Sequence, residues 1–148
     1  GILNNKTRTK EQNYAFDIAF NKNSTQEEVY ISTTKFLIKD VIEGYNATVF
    51  AYGASGAGKT YTMVGINDQP GIMVRTVSDL FNEIQSLENK DYRIKINYIE
   101  IYNETLRDLL SDNNEVLELR EDPTKGVSII GVRDVPVASA TEVFRLLM

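Results

Sequence analysis

Cysteine and histidine are both missing from this chain of 148 residues. Without cysteine, the chain has neither a disulfide framework nor a thiolate ligand for a metal. Without histidine, imidazole is excluded as a metal ligand and as a general base. These absences rule out disulfide-stapled domains, thiolate metal centres and histidine-based catalysis, and they are compatible with an intracellular location.

Long apolar runs and an excess of positive charge are missing too. No stretch approaches the roughly 18 apolar residues of a membrane-spanning helix, and the polar start does not read as a signal peptide, so we expect no membrane partner. The net charge is −5, whereas a nucleic-acid binder needs a basic surface to neutralise phosphates, so we expect no nucleic-acid partner. With 42% hydrophobic and 25% charged residues, the composition is that of a globular protein of single-domain size.

The first half of the chain alternates predicted strands and helices. Apolar residues recur at every second position over residues 14–20 (YAFDIAF), which predicts a strand. A doubled capping box at residues 24–28 (STQEE) begins a helix that we expect to end at Gly44. Residues 47–52 (ATVFAY) form a short apolar run, typical of a strand buried on both faces.

The second half continues the alternation. A helix is predicted over residues 72–87, a long strand over residues 92–102, and a short helix capped by Asn103. Residues 116–137 hold two apolar runs on either side of PTKG, which predicts a hairpin or a pair of small strands, and Ser139 begins a last helix. Strands that alternate with helices indicate a layered α/β sheet.

A glycine-rich loop follows directly on the strand predicted at residues 47–52. The loop, GASGAGKT, matches G-x-x-x-x-G-K-[ST] at every fixed position, with a predicted helix after it. Backbone N–H groups that converge on a phosphate need unusual dihedral angles and little side chain, which explains the glycines. Lys59 supplies a cation for β- and γ-phosphates, and the Thr60 hydroxyl is an oxygen ligand for Mg²⁺. The alternative, a flexible turn with an incidental lysine, does not account for the strand and helix around it, so we predict a nucleoside-triphosphate site.

A phosphate loop does not by itself identify the class of enzyme, because kinases, GTPases, helicases and motors share it. A small-molecule kinase or a GTPase would need an acceptor-binding lid or a base-specifying Asn-Lys-x-Asp, and the sequence contains neither. An interaction module that binds nucleotide without turnover also stays open.

From residue 14 to residue 148 the chain resembles the kinesin motor domain. The resemblance implies an α/β fold of the P-loop NTPase class, with a mixed central sheet flanked by helices. Residues 45–49 (YNATV) and 118–122 (ELRED) resemble kinesin-8 in particular. The segments that carry the resemblance follow in order: YAFDIAF, TQEEVY, GYNATVFAYGASGAGKTYTM, GIMVRTVSDLF, YIEIYNETLRDLL, LELRED with KGVSIIGV, and TEVFRLL.

The resemblance implies a microtubule-based motor that couples ATP hydrolysis to movement along microtubules, or to their disassembly, in the cytoplasm and on the cytoskeleton. Its cofactors would be ATP or ADP and Mg²⁺, with Thr60 as the metal ligand, and the catalytic residues are not identified. Lys125 and Arg133 match a loop that touches tubulin in the family, although a solvated surface is the simpler reading of both. The predicted cofactor-binding residues are Gly53, Ala54, Ser55, Gly56, Ala57, Gly58, Lys59, Thr60 and Tyr61.

Tyr61 matches the position at which the family places an aromatic or histidine side chain near the adenine. Stacking on the base is one interpretation of this residue. A helix tyrosine that packs on its neighbours is the other.

Several parts of the kinesin pattern have no match in the chain. These are the first strand with its Arg-x-Arg-Pro segment, both switch regions and the main microtubule-binding elements. We therefore expect residues 1–148 to be the N-terminal half of a motor domain, with ATPase activity in the full-length protein and no hydrolysis by this part alone. Because the family strand that matches residues 47–52 lies between strands from later in the chain, we expect both of its edges to be unpaired.

Overall fold

The structure, a computed structural model, describes residues 12–88, 90–113, 116–124 and 126–147. Among these residues, no helix is long and apolar enough to cross a membrane. The helices are α1 (Gln26–Thr33), α2 (Leu37–Glu43), α3 (Lys59–Met63), α4 (Ile72–Ser86) and α5 (Ala140–Leu147). The strands are β1 (Gly65–Ile66), β2 (Gln69–Pro70), β3 (Ile94–Ile96), β4 (Ile99–Tyr102), β5 (Thr105–Asp108), β6 (Val116–Asp122), β7 (Gly126–Ile130) and β8 (Val135–Val137).

The predicted capping box is present at the start of α1. The Thr25 side chain accepts a hydrogen bond from the Glu28 N–H at 3.1 Å, and the Glu28 carboxylate accepts one from the Thr25 N–H at 2.8 Å. Two otherwise orphaned backbone donors are thereby satisfied. At the other end of this region α2 stops at Gly44, whose φ of 107° lies in the left-handed region that favours glycine.

The single helix predicted between these caps is wrong, because α1 and α2 are separate. The Thr33 hydroxyl donates back to the Val29 carbonyl at 2.6 Å, a contact that weakens and bends a helix. The N–H groups of Thr34 and Lys35 both turn to the Tyr30 carbonyl. The regular helical hydrogen bonding is therefore interrupted between Thr33 and the start of α2.

The strands form three small sheets, and every ladder among the described residues is antiparallel. β1 pairs with β2, and β3 pairs with β8. The third sheet has the order β4-β5-β6-β7. The pairing of β6 with β7 confirms the hairpin predicted around PTKG.

The region after residue 92 departs from the prediction in two places. One long strand over residues 92–102 is wrong, because β3 and β4 belong to different sheets. The helix after Asn103 is also wrong, because Asn103 (φ 48°) and Glu104 (φ 61°) form a two-residue turn between β4 and β5. Such left-handed turns suit the twist of paired strands. A helix of one or two turns has little stability of its own, so pairing of β5 with both neighbours decides the structure.

Two segments predicted as strands, residues 14–20 and 47–52, form no ladder with any described residue. Neither segment is therefore a paired strand within the described residues. For residues 47–52 the unpaired edges are those that the sequence analysis predicts. Aromatic side chains of the second segment face solvent, with Phe50 81% and Tyr52 96% exposed.

The buried side chains form two clusters that share α4. Tyr30, Ile38 and Ile72 make the first cluster, against which Met63 of α3 packs. The second joins Phe81 to side chains of β8 and α5. Because α4 contributes Ile72 at its start and Phe81 in its C-terminal half, it connects both clusters and positions α3 against the first.

A partly buried polar contact joins α1 to α4 beside the first cluster. The Tyr30 hydroxyl donates to the Asp79 carboxylate at 2.8 Å, and the Lys35 ammonium lies 3.6 Å from the same oxygen. Burial, and then the hydrogen bond to Asp79, raise the pKa of Tyr30 above its ordinary value. The folded state therefore retains the Tyr30 proton at a pH where the unfolded chain loses it.

This shift predicts an alkaline loss of stability that depends on Tyr30. The contribution is complete below pH ~10, where tyrosine in the unfolded chain ionises, and it is lost as the pH rises further. Tyr30→Phe should lower the free energy of unfolding by about 1 kcal/mol at pH 7 and should flatten its decline above pH ~10. Urea denaturation at both pH values measures this. Tyr45→Phe, which removes an exposed tyrosine, should leave the decline unchanged, and equal slopes for Tyr30→Phe and the unsubstituted chain would contradict the assignment.

Candidate functional site

The glycine loop (residues 53–60) connects the apolar segment 47–52 to α3. Gly56 and Gly58 have φ values of 80° and 91°, in the left-handed region. A Cβ at either position would meet no atom within 4 Å. The glycines are therefore required by backbone conformation and not by lack of space, because other L-residues pay about 1–2 kcal/mol to adopt it.

Gly53 is required for a different reason. A Cβ at this position would lie 3.1 Å from the Ala57 Cβ, closer than nearly all such contacts. The loop closes here through a turn in which the Ala57 N–H donates to the Ala54 carbonyl at 3.1 Å. Small residues at both ends of this turn keep the loop compact.

Lys59, the first residue of α3, holds its ammonium at the glycine loop. Its Nζ donates to the Gly53 carbonyl at 2.8 Å and to the Ala54 carbonyl at 2.9 Å. The charge therefore lies at the start of the loop and not out in solvent. This places a cation next to backbone N–H groups at the start of a helix, which is the arrangement that attracts phosphate.

Thr60 follows in the first turn of α3 with its side chain exposed. A hydroxyl oxygen suits Mg²⁺, which usually takes few protein ligands and completes its octahedron with waters and substrate phosphates. Within the part of the chain that the structure describes, no group of three or more His, Cys, Asp or Glu side chains could hold a metal. The donor set at Thr60 thus fits an ion shared with a bound phosphate.

Tyr61 is held at both ends by glutamine side chains. Its hydroxyl donates to the Gln69 side-chain carbonyl in β2, and its backbone carbonyl accepts from the Gln26 amide in α1. The residue as a whole is 44% exposed. Sequence reasoning missed both glutamines, and the sequence carries no signal for them, because only the fold brings α1 and β2 to Tyr61.

The end of α3 is fastened to the start of α4 through Gly71. The Gly71 N–H donates to the Val64 carbonyl at 2.9 Å. A Cβ on Gly71 would lie 2.6 Å from the Thr62 carbonyl oxygen and from the Met63 carbonyl carbon. No side chain fits there, so the backbones of α3 and α4 are in direct contact.

A cleft of about 260 Å³ runs along the glycine loop, between residues 50–52 and α3, with Lys59 in its lining. A larger cavity of about 580 Å³ lies elsewhere, between α2 and the C-terminal half of α4, and contains no residue of the glycine loop. The smaller cleft is therefore the one associated with the predicted site. All nine predicted site residues, 53–61, lie in one continuous stretch of the described structure.

Of the two basic residues that match the family's tubulin loop, only Arg133 lies within the described residues. Arg133 is exposed, and its backbone N–H and guanidinium bond to Asp108 and to the Leu110 carbonyl. These bonds attach it to the end of β5. Lys125 lies outside the described residues.

A glycine loop of this geometry, delivered by an apolar segment and followed by a helix that begins with Lys-Thr, defines the P-loop class of nucleotide-binding proteins. Within that class the family is also clear, because residues 2–148 match the family model of the kinesin motor domain. The chain belongs to the kinesin motor domain family.

Similar proteins agree with this assignment. The chain is 51% identical over 142 residues to kinesin-like protein KIF19 of Mus musculus, and 46% identical over 143 residues to kinesin-like protein KIN-8B of Arabidopsis thaliana. These alignments cover 95% and 96% of the chain but only 14% and 18% of the two relatives. KIF19 and KIN-8B are kinesin-8 members, so the predicted kinesin-8 likeness is confirmed.

A solved structure confirms the fold. The chain superposes with a TM-score of 0.77 and 35% identity on KIF14, solved as a dimer in a two-heads-bound state with AMP-PNP, in complex with a microtubule. The match covers 84% of this chain and 36% of the KIF14 chain. The predicted kinesin motor fold is therefore correct, although the segment expected in its central sheet forms no ladder among the described residues.

Proposed function

We propose that this chain is the ATP-binding part of a microtubule motor, with the nucleotide phosphates held by residues 53–60. The observation that carries the proposal is the Lys59 ammonium, bonded at 2.8 and 2.9 Å to carbonyls of a loop built on left-handed glycines. Membership of the kinesin family supports ATP or ADP as the nucleotide. The AMP-PNP named for the KIF14 structure is a further support.

Each residue of the site has a role in this proposal. Backbone N–H groups of the glycine loop bind the phosphate oxygens, and Lys59 moves from the loop carbonyls to the β- and γ-phosphates. Thr60 would hold Mg²⁺, which would offset the negative charge of the phosphates. Tyr61, with its hydroxyl tied to Gln69, offers a partly exposed ring to the base.

Hydrolysis and filament binding belong to the proposal for the whole protein. Residues 53–61 contain no carboxylate, histidine or glutamine side chain that could orient an attacking water, so we assign no catalytic residue. We propose that the full-length protein is an ATPase that moves along or disassembles microtubules in the cytoplasm, and that the 148 residues alone do not hydrolyse ATP. The microtubule named with the KIF14 structure supports this partner, and a net charge of −5 speaks against nucleic acid.

The chain is, in the same proposal, the N-terminal half of a motor domain. Two observations support this: residues 47–52 have no ladder partner among the described residues, and the chain matches only 36% of the KIF14 chain. Unpaired backbone groups on an apolar segment cost about 1–3 kcal/mol each when they are dry. Strands from the rest of the domain would satisfy them.

Lys59→Ala should weaken ATP binding by about 10- to 100-fold, because a hydrogen bond to a charged group contributes about 1.5–3 kcal/mol. The melting temperature should change little, since the side chain packs against few neighbours. Titration of a fluorescent ATP analogue measures the affinity. Lys39→Ala, which removes an exposed lysine on α2, is the matched control. Equal affinities for Lys59→Ala and the unsubstituted chain would refute the phosphate site.

Thr60→Ala should weaken binding of Mg²⁺–ATP more than binding of Mg²⁺–ADP, because the bridge between β- and γ-oxygens exists only in the triphosphate. Thr60→Ser keeps the hydroxyl, so its affinities for Mg²⁺–ATP and Mg²⁺–ADP should stay close to those of the unsubstituted protein. Thr62→Ala, two residues further along α3, is the control for loss of a threonine methyl and hydroxyl. Calorimetry with each nucleotide, with and without chelator, measures the effect. Parallel losses for ATP and ADP would exclude Thr60 as the metal ligand.

Microtubules should accelerate phosphate release from ATP by the whole protein, because a motor couples filament binding to its nucleotide cycle. The rate, measured against tubulin concentration, should saturate and should vanish in Lys59→Ala. A protein that binds ATP without stimulated turnover would instead be a nucleotide-binding interaction module. Phosphate transfer to a small acceptor, or a preference for GTP, would indicate another P-loop enzyme.

A further inference from the structure

The helix that carries Lys59 and Thr60 is too short to hold its own position. α3 has five residues, with backbone bonds from Thr62 to Gly58 at 3.0 Å and from Val64 to Thr60 at 2.8 Å. Helices of this length are unstable alone, because few bonds offset the cost of nucleation. The orientation of the lysine and the threonine therefore depends on what α3 touches.

One side chain from outside α3 donates a hydrogen bond to the Tyr61 carbonyl, which has no hydrogen-bond partner within α3. The helical partner of the Tyr61 carbonyl would be the N–H of Gly65. α3 ends at Met63, however, and Gly65 has a φ of 83° and pairs with Pro70 in the β1–β2 hairpin. The Tyr61 carbonyl accepts instead from the side-chain amide of Gln26.

Gln26 is well placed to act as a fixed donor. It is the first residue of α1 and is 6% exposed, which is unusual for glutamine. The capping box between Thr25 and Glu28 holds the backbone on which it stands. One turn further along, Tyr30 is buried in the first cluster and bonded to Asp79, so α1 is anchored before and after the amide.

We propose that Gln26 is a positioning residue for the nucleotide site. Its amide fixes the Tyr61 carbonyl, and through it the first turn of α3. Lys59 and Thr60 are therefore oriented toward the phosphates before the nucleotide binds. The inference rests on the proposed nucleotide site, since Gln26 itself touches no loop residue from 53 to 60 through a described hydrogen bond. An apolar side chain of the same size would fill the space but leave the carbonyl without a donor.

Both arms of the test use the full-length protein, and the first arm does not involve nucleotide. In Gln26→Met, which keeps the volume and removes the donor, amide hydrogen exchange of Thr62 and Val64 should become about five- to tenfold faster, the change expected for one net hydrogen bond. Exchange within the C-terminal half of α4 should not change. Gln26→Glu is the second variant, because it retains a polar group at the start of α1 and, when ionised, cannot donate.

The second arm measures binding of an ATP analogue to the same variants. Both should bind about five- to tenfold more weakly than the unsubstituted chain. Gln85→Met, the same substitution at an exposed position of α4, should have no effect. Val137→Ala, in the second cluster, should lower the melting temperature without weakening binding, which separates positioning from general loss of stability.

Faster α3 exchange together with weaker binding in both variants supports the proposal. Unchanged exchange of Thr62 and Val64 overturns it, and so does faster exchange with full affinity. Weakened binding in Val137→Ala to the same degree also overturns it, because stability alone would then explain the effect. Failure of the unsubstituted full-length protein to bind nucleotide at all refutes the nucleotide site on which the proposal rests, whatever the exchange arm shows.

Discussion

The contact between Gly71 and the end of α3 is the constraint on which the placement of the glycine loop depends. A Cβ on Gly71 would lie 2.6 Å from backbone atoms of Thr62 and Met63, so α3 and α4 meet without any side chain between them. Interiors this tightly packed do not deform gradually. The position of α3, and with it Lys59, is therefore set by the start of α4, where Ile72 belongs to the first buried cluster.

Two polar contacts connect α1 to the packed pair of α3 and α4. α1 is joined to α4 by the bond between Tyr30 and Asp79 and to α3 by the bond from Gln26 to the Tyr61 carbonyl. Each involves a buried group that would be costly to leave unpaired. A change in the distance between α1 and α4 would therefore also shift α3. The arrangement links the helices around the loop into one unit, although they are far apart in the sequence.

The predictions that agree with the structure rest on signals within a few neighbouring residues. The pattern GASGAGKT, the capping box at the start of α1 and the hairpin around PTKG are local signals, each carried by neighbouring residues. The structure confirms the capping box and the hairpin, and it gives Gly56 and Gly58 of the loop left-handed φ values. The incorrect predictions concern elements whose outcome is decided elsewhere. The turn at Asn103 replaces a helix because β5 gains partners on both sides, one of them β6, which begins at residue 116.

The sequence by itself determined the glycine loop, its lysine and threonine, and the starts and ends of most helices, because dihedral preference and capping act over a few residues. The tertiary structure alone decided which groups meet across the chain: Gln26 and Gln69 at Tyr61, Asp79 at Tyr30, and Gly71 against α3. Those contacts join residues 8 to 49 positions apart. Their energies depend on which surfaces pack together, and no local preference encodes that.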